Sequence, residues 1–279
     1  MSASVIAAAA AAGIGALVYF KSAFPPSGKP IFSTFGFRSL KLHSTESINH
    51  NTKKLRFELP EGNLPSGLSL SASLLTVSFP GGGWKPCLRP YTPTNDLDEK
   101  GFVELMVKQY PGGKQSTHIH SLKPGDKLTF FPIPALKWTP NQHPHLTMIA
   151  GGAGITPMYQ LARGILKNPN DKTRISLVWG VNADEDIFLK DQFAALEKQY
   201  PGRFKATYVV ATPDAKSPHQ KGFVTKEVLE KLGLTPSENK GTKVLVCGPP
   251  PMEKALKGTK AAPGVLGKLG YTAADIHTY

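Results

Sequence analysis

Apolar residues follow three rhythms along this chain. Residues 2–20 form an unbroken, uncharged and mostly apolar run rich in alanine, closed by Lys21. Its length matches the ~20 residues that cross a bilayer as a helix. Ala is only weakly hydrophobic, so insertion leans on residues such as Val5, Ile6, Leu17 and Phe20. The expected reading is a membrane anchor and the start of its tether over residues 1–24, with a buried N-terminal helix as the alternative. No basic side chain precedes the run, which argues against a cleaved secretory signal. Lys21, Lys29, Arg38 and Lys41 follow it and favour a cytosolic location for the downstream body. Pro25-Pro26-Ser27-Gly28 reads as a short stiff spacer.

The second rhythm occupies residues 30–138. Residues 54–59 alternate as a half-buried strand does, and residues 73–79, 101–110 and 127–131 are further strand candidates. Pro-Gly clusters separate them: Pro80-Gly81-Gly82-Gly83, Pro111-Gly112-Gly113 and Pro124-Gly125-Asp126. Short strands punctuated in this way predict an antiparallel β-barrel. A short helix is expected from about Ser116 to Leu122.

The third rhythm runs over residues 145–279 and alternates strand with helix. Strands are expected at 145–150, 174–179, 204–210 and 243–247. Helices are expected at 157–167, at 186–199 with Leu189, Phe193 and Leu196 on one side, and at 225–232 with Thr225 as its cap. Such alternation predicts a parallel-sheet α/β domain whose ligands sit at the carboxyl ends of the strands. The expected fold class is therefore β plus α/β.

Bulk properties agree with two domains and narrow the partners. The chain has 279 residues, 40% hydrophobic and 19% charged, with a formal net charge of +13. That charge favours acidic partners. No nucleic-acid motif accompanies it, and the basic residues are not interleaved with aromatics, so nucleic acid is not expected. Two cysteines, Cys87 and Cys247, exclude a disulfide scaffold and a four-cysteine zinc site, and no metal is expected.

Three stretches carry the candidate chemistry. Arg89-Pro90-Tyr91-Thr92 is extended, so alternate residues share a face. Arg89 can supply a positive charge for a pyrophosphate, Tyr91 a flat surface for a flavin ring, and Thr92 a donor toward its N5. A plain strand with an edge arginine is the alternative. Gly112-Gly113-Lys114-Gln115-Ser116-Thr117 opens a helix whose free N–H groups suit a phosphate. Lys108 precedes it and can face a flavin, a nicotinamide or solvent. Gly151-Gly152-Ala153-Gly154 opens another helix at a strand end, and the glycines permit close backbone approach to a pyrophosphate. The pattern is not Gly-x-Gly-x-x-Gly, which disfavours a standard Rossmann dehydrogenase. Cys247-Gly248-Pro249-Pro250 lies at a further strand end, where a small polarizable thiol can border a nicotinamide. A buried small hydrophobe is the alternative for Cys247.

In this order and at these separations the motifs resemble the NADH–cytochrome b5 reductase family of the ferredoxin–NADP reductase superfamily. The resemblance runs from about Phe32 to Tyr279. It rests on Arg89-Pro90-Tyr91-Thr92-Pro93, Val103-Glu104-Leu105-Met106-Val107-Lys108, Gly113-Lys114-Gln115-Ser116, the turn from Gly151 to Met158, and the run from Cys247 to Met252. His50-Asn51-Thr52 resembles the usual His-Asp-Thr. Phe131-Pro132-Ile133-Pro134, Trp138 and Pro140-Asn141-Gln142 resemble the fungal mitochondrial branch, which implies the mitochondrial outer membrane, with the endoplasmic reticulum as the alternative.

The resemblance implies FAD and NADH as cofactors. Hydride passes to the flavin, and single electrons go to an acidic haem protein such as cytochrome b5. It also implies a monomer. By motif match, Arg89, Pro90, Tyr91, Thr92, Val107, Gly113, Lys114, Gln115 and Ser116 hold FAD. Gly151, Gly152, Ala153, Gly154, Thr156, Pro157, Cys247, Gly248, Pro249 and Met252 line the nicotinamide side, and Thr92, Lys108 and Cys247 have catalytic roles. Three residues depart from the pattern: Ala153 stands for Thr, Gln115 for Met, and Ala211 for an Asp that disfavours NADPH, so NADPH use stays open. Other acceptors (a quinone, ferric iron or an ascorbyl-type radical) and a non-catalytic flavin-binding protein are the competing readings.

Overall fold

The computed structural model describes residues 28–82, 84–133, 136–259 and 261–279. The expected anchor over residues 1–24 lies outside them. Among the described residues no helix is long and apolar enough to cross a membrane.

Six strands build the first domain: β1 (Arg38–Ser47), β2 (Thr52–Glu58), β3 (Ser73–Ser78), β4 (Cys87–Tyr91), β5 (Phe102–Lys108) and β6 (Lys127–Ile133). They pair antiparallel in the order β4-β3-β6-β1-β2-β5. All six contribute to one interior, with Leu40, Leu55, Phe57, Leu74, Leu105 and Phe130 at its centre and Tyr91 at its margin. Phe57 and Phe130 meet edge to face at 5.0 Å. Helix α1 (Lys114–Ser121) packs against both edge strands, β4 and β5, and turns Ile119 into the same core.

The alternation along β5 links this domain to the next. Val103, Leu105 and Val107 enter the first core, whereas Met106 belongs to the core of the second domain. Lys108 shares the face of Met106, as period-two geometry requires.

The second domain has a parallel sheet ordered β10-β9-β8-β7-β11-β12. Its elements run β7 (His145–Gly151), α2 (Ile155–Lys167), β8 (Arg174–Val181), α3 (Lys190–Gln199), β9 (Phe204–Val210), β10 (Gln220–Lys221), α4 (Lys226–Lys231), β11 (Lys243–Cys247), α5 (Pro250–Lys257), α6 (Val265–Lys268) and β12 (Ile276–Thr278). One apolar layer lies under α2 and α3, and another under α4, α5 and α6. The chain starts at β7, adds β8 and β9 on one side, then crosses to place β11 on the other. That reversal sets the carboxyl ends of β7 and β11 side by side, with Ala150 paired to Cys247, at the switch point where open α/β sheets bind ligands.

Two expected elements change. Residues 184–186 form a separate 3-10 turn, and α3 starts only at Lys190. The run after Cys247 is a helix, α5, with Pro250 at its first position, where a missing N–H costs nothing.

At the opposite end of β7, buried His145 lies between Thr242 Oγ1 and Ser176 Oγ, 2.9 Å from each. Burial, reinforced by Arg174, pushes its pKa down to about 4. The unfolded chain thus binds a proton more readily than the folded one between pH ~6.5 and ~4. Stability is full above pH 6.5 and falls as the pH drops through this window, by on the order of 2 kcal/mol. Thermal unfolding between pH 7.5 and 4.5 checks this: His145→Gln flattens the decline, and an unchanged slope refutes the assignment.

Candidate cofactor crevice

The flavin-type residues stand on β4 and just beyond it. Arg89 and Pro90 are exposed, Tyr91 is half-buried and Thr92 is buried. The Thr92 hydroxyl lies 2.8 Å from Ser73 Oγ, so its rotamer is set by the neighbouring strand β3. Burial raises the Tyr91 pKa, which keeps the phenol neutral. Arg89 makes no salt bridge among the described residues; its Nη1 donates only to the adjacent Leu88 carbonyl at 2.7 Å.

Helix α1 presents its N-terminus nearby. Gly113 is its N-cap, no side chain caps it, and Lys114 at its first position is exposed. The first N–H groups are therefore free for an anion. A Cβ at Gly113 would lie 2.6 Å from Ser116 Oγ. That hydroxyl closes the turn by donating to Gly113 O and accepting from Tyr110 N, both at 3.2 Å.

Three residues expected at the cofactors turn their side chains elsewhere. Gln115 turns inward: its Nε2 donates to Thr76 Oγ1 at 2.8 Å, and its Oε1 accepts from Ser78 Oγ at 2.6 Å. Its side chain braces β3 beneath the site, which leaves only its backbone at the helix start. Val107 is fully buried in the first core, because its parity on β5 points it there. Lys108 faces neither solvent nor an open crevice. It is buried, and its Nζ donates to Asp186 Oδ1 of the second domain at 2.6 Å.

The nicotinamide-type residues converge. A Cβ on Gly151 would strike Met252 Sδ and come within 2.8 Å of Pro249 Cδ; one on Gly154 would collide with the Cys247 carbonyl. Glycine is thus required where β7, the end of β11 and the start of α5 touch. Gly152 has φ 51°, and its carbonyl accepts from Trp179 Nε1 at 3.0 Å. Thr156 Oγ1 donates to Ala153 O at 3.2 Å, and Pro157 is buried in the first turn of α2. Like α1, α2 opens on a glycine, Gly154, without a side-chain cap. Gly248 N donates to Glu253 Oε1 at 3.2 Å. Burial, with Glu253 beside it, pushes the Cys247 thiol up to about 12. It stays protonated at neutral pH, so it offers a small polarizable surface and no thiolate nucleophile.

Several residues that join the two halves have no sequence motif. Tyr110 Oη accepts from Ala153 N at 3.3 Å. Gln160 Nε2 donates to Pro93 O at 3.0 Å, and Arg163 reaches Thr94 O at 2.8 Å and Asp96 at 3.1 Å. Lys167 lies 2.9 Å from Asp98. The polar stripe at positions 160, 163 and 167 of α2, on an otherwise apolar helix, was the signal available. Tyr279 Oη pairs with Ser71 Oγ at 2.8 Å across the same boundary.

Comparison with known proteins matches both domains. The model "Oxidoreductase FAD-binding domain" matches residues 39–134, and "Oxidoreductase NAD-binding domain" matches residues 148–258. The protein is a two-domain oxidoreductase with FAD and NAD as its cofactors. NADH-cytochrome b5 reductase 2 of Pyricularia oryzae is 50% identical over 88% of this chain and 76% of its own length. Its namesake from Emericella nidulans is 43% identical over 99% of this chain and 91% of its own. The chain belongs to the NADH-cytochrome b5 reductase family. Among solved structures, the cytochrome b5 reductase domain of Ulva prolifera nitrate reductase has a TM-score of 0.77 and 29% identity, covering 88% of this chain and 97% of that one.

The residues present fit both cofactors. Two uncapped helix N-termini, one exposed arginine and one exposed lysine suit two pyrophosphates. Gly151 and Gly154 let the turn into α2 pack directly on the backbone at the end of β11.

Proposed function

We propose that this protein passes a hydride from NADH to FAD and then single electrons to cytochrome b5 or a similar acidic haem protein. It does so from a membrane surface, the mitochondrial outer membrane, to which residues 1–24 tie it. The observation that carries the catalytic part is the meeting of Tyr110 with Ala153, which brings the turn into α1 against the turn into α2. Bound FAD supplies two-electron acceptance and one-electron release. The chain supplies placement. Arg89, Lys114 and the free N–H groups of α1 neutralise one pyrophosphate, and Ser73 aims the Thr92 hydroxyl. The N-terminus of α2 receives the second pyrophosphate, and the neutral Cys247 thiol leaves the crevice uncharged. The net charge of +13 supports an acidic acceptor. The apolar run of residues 2–20 supports the anchor, and the resemblance to the fungal mitochondrial branch supports the organelle.

Anaerobic spectra of the full chain in detergent test the reading. NADH bleaches the flavin bands, and oxidised cytochrome b5 added next acquires the reduced haem spectrum. Bleaching without haem reduction removes cytochrome b5 as acceptor. Sedimentation with mitochondrial outer membranes, lost when residues 1–24 are deleted, tests the location.

Nucleotide choice yields a further prediction. Ala211 follows β9 and is tied through its N–H to Val181 O at 3.0 Å. It brings no carboxylate to the place where one would repel a 2′-phosphate. Ala211→Asp therefore raises the NADH-over-NADPH ratio of kcat/KM by roughly tenfold, about 1.4 kcal/mol. An unchanged ratio refutes the role of this position.

A further inference from the structure

The buried ion pair between Lys108 and Asp186 joins the two cofactor domains, and it is surrounded by contacts that serve the same junction. Asp186 Oδ1 accepts from Lys108 Nζ at 2.6 Å and from Asn51 Nδ2 at 2.9 Å. Asn49 Nδ2 donates to the Glu185 carbonyl at 2.8 Å, and His50 Nε2 lies 3.4 Å from Glu185 Oε1. Two segments of the first domain thus grip the 3-10 turn at residues 184–186 of the second. Burial alone would raise the Asp186 carboxyl pKa, but the hydrogen bonds from Lys108 and Asn51 outweigh it and hold the group ionised.

A buried ion pair contributes little net stability compared with apolar residues of the same size. Its distinguishing property is direction. Met106, on the same face of β5, makes an apolar contact that tolerates sliding; a 2.6 Å charged hydrogen bond does not. The location matters as well. Two residues beyond Lys108, Tyr110 holds Ala153 in the turn after β7. Asp186 follows the end of β8, which pairs with β7 up to Gly151 and Gly180. The pin and the turn into α2 therefore hang from adjacent strand ends.

We propose that Asp186 is a positioning residue for hydride transfer: by holding Lys108 it fixes the angle at which the NAD-binding domain presents the nicotinamide to the flavin. This rests on hydride passing from NADH to FAD.

Stopped-flow reduction of the FAD-loaded full chain by NADH tests the proposal in Lys108→Met, Asp186→Asn and the double variant. Reduction of the wild type comes first; if NADH does not reduce it, the hydride reading fails, independently of the pin. Each single variant is expected to keep its flavin spectrum and lose tenfold or more in limiting reduction rate. The double variant loses no more than the worse single, because both remove one interaction. The isotope effect with NADH deuterated at the transferred position rises in all three, since misaligned transfer becomes the slow step. If Lys108 instead serves the dinucleotide directly, Asp186→Asn frees its ammonium and leaves the rate within twofold while Lys108→Met alone loses it. That result overturns the proposal, and so does a double variant whose loss is the product of the two singles. Should Asp186→Asn fail to retain FAD, Asp186→Glu, which keeps the charge and displaces it by one methylene, takes its place. A loss of tenfold or more with the flavin spectrum kept supports the pin; a smaller loss overturns it.

Discussion

Gly154→Ala is expected to lose NADH-driven flavin reduction by on the order of a hundredfold while retaining FAD. The backbone dihedrals of Gly154 are ordinary for α2, φ −62° and ψ −2°, so conformational strain is not the cause. The cause is contact. The added methyl would overlap the carbonyl of Cys247 and lie 3.0 Å from Gly248 N, and both are backbone atoms that cannot swing aside. Either α2 or the end of β11 must move, and both border the place proposed for the nicotinamide. Overpacking of this kind also costs about 1–3 kcal/mol of stability. Gly180→Ala is the control. Its methyl would meet Ala150 O and Val224 Cγ2 at an ordinary 3.7 Å, so its kinetics and unfolding midpoint stay close to wild type. A Gly154→Ala protein that reduces its flavin at the wild-type rate would mean that the crevice is not where hydride moves.

Trp179→Ala is expected to cost about 3–5 kcal/mol, or on the order of 10 °C in unfolding temperature. Trp179 on β8 is fully buried, with Phe188 edge-on at 5.2 Å and Phe193 at 6.2 Å. The indole also has a second attachment, its Nε1–H on the Gly152 carbonyl at 3.0 Å. Trp179→Phe separates the two roles. It keeps most of the apolar contact and loses the hydrogen bond, so stability falls less while the turn at Gly152 loosens and KM for NADH rises. Urea unfolding monitored by circular dichroism, with NADH titrations alongside, reads both. Equal effects of Phe and Ala on stability would place the whole contribution in the hydrogen bond.

Legibility in the sequence depended on the range of the interaction. Strands with a continuous apolar face, such as β7 and β8, and turns punctuated by glycine were readable because period and punctuation are local. β1 was hidden because its inner face carries only Leu40 and Leu42 beside Arg38, whose buried guanidinium bonds to Ile31 O, Phe37 O and Thr34 Oγ1. α5 was hidden by Pro250 and Pro251, which suggest a stiff loop until their place in a first turn is known. At the site, Thr92 and the glycine turns follow from chemistry written in adjacent residues. The fate of Lys108 does not, because Asp186 lies 78 positions away and a lone lysine carries no sign of its partner. Parity gives the side-chain direction of Val107: with Leu105 inside the first core, Val107 follows it and leaves only backbone for a cofactor.

The stripe of Gln160, Arg163 and Lys167 bears on modular exchange. A splice in the linker between the two domains leaves each sheet whole, so recombination there looks harmless. Yet these three side chains on α2 hold residues 93–98 of the preceding domain, immediately after Thr92. A chimaera that joins this FAD-binding half to a foreign nucleotide-binding half would fold and bind both cofactors but transfer hydride poorly. Grafting Gln160, Arg163 and Lys167 onto the incoming helix is the minimal repair. The unit to exchange in such a design is accordingly larger than either domain.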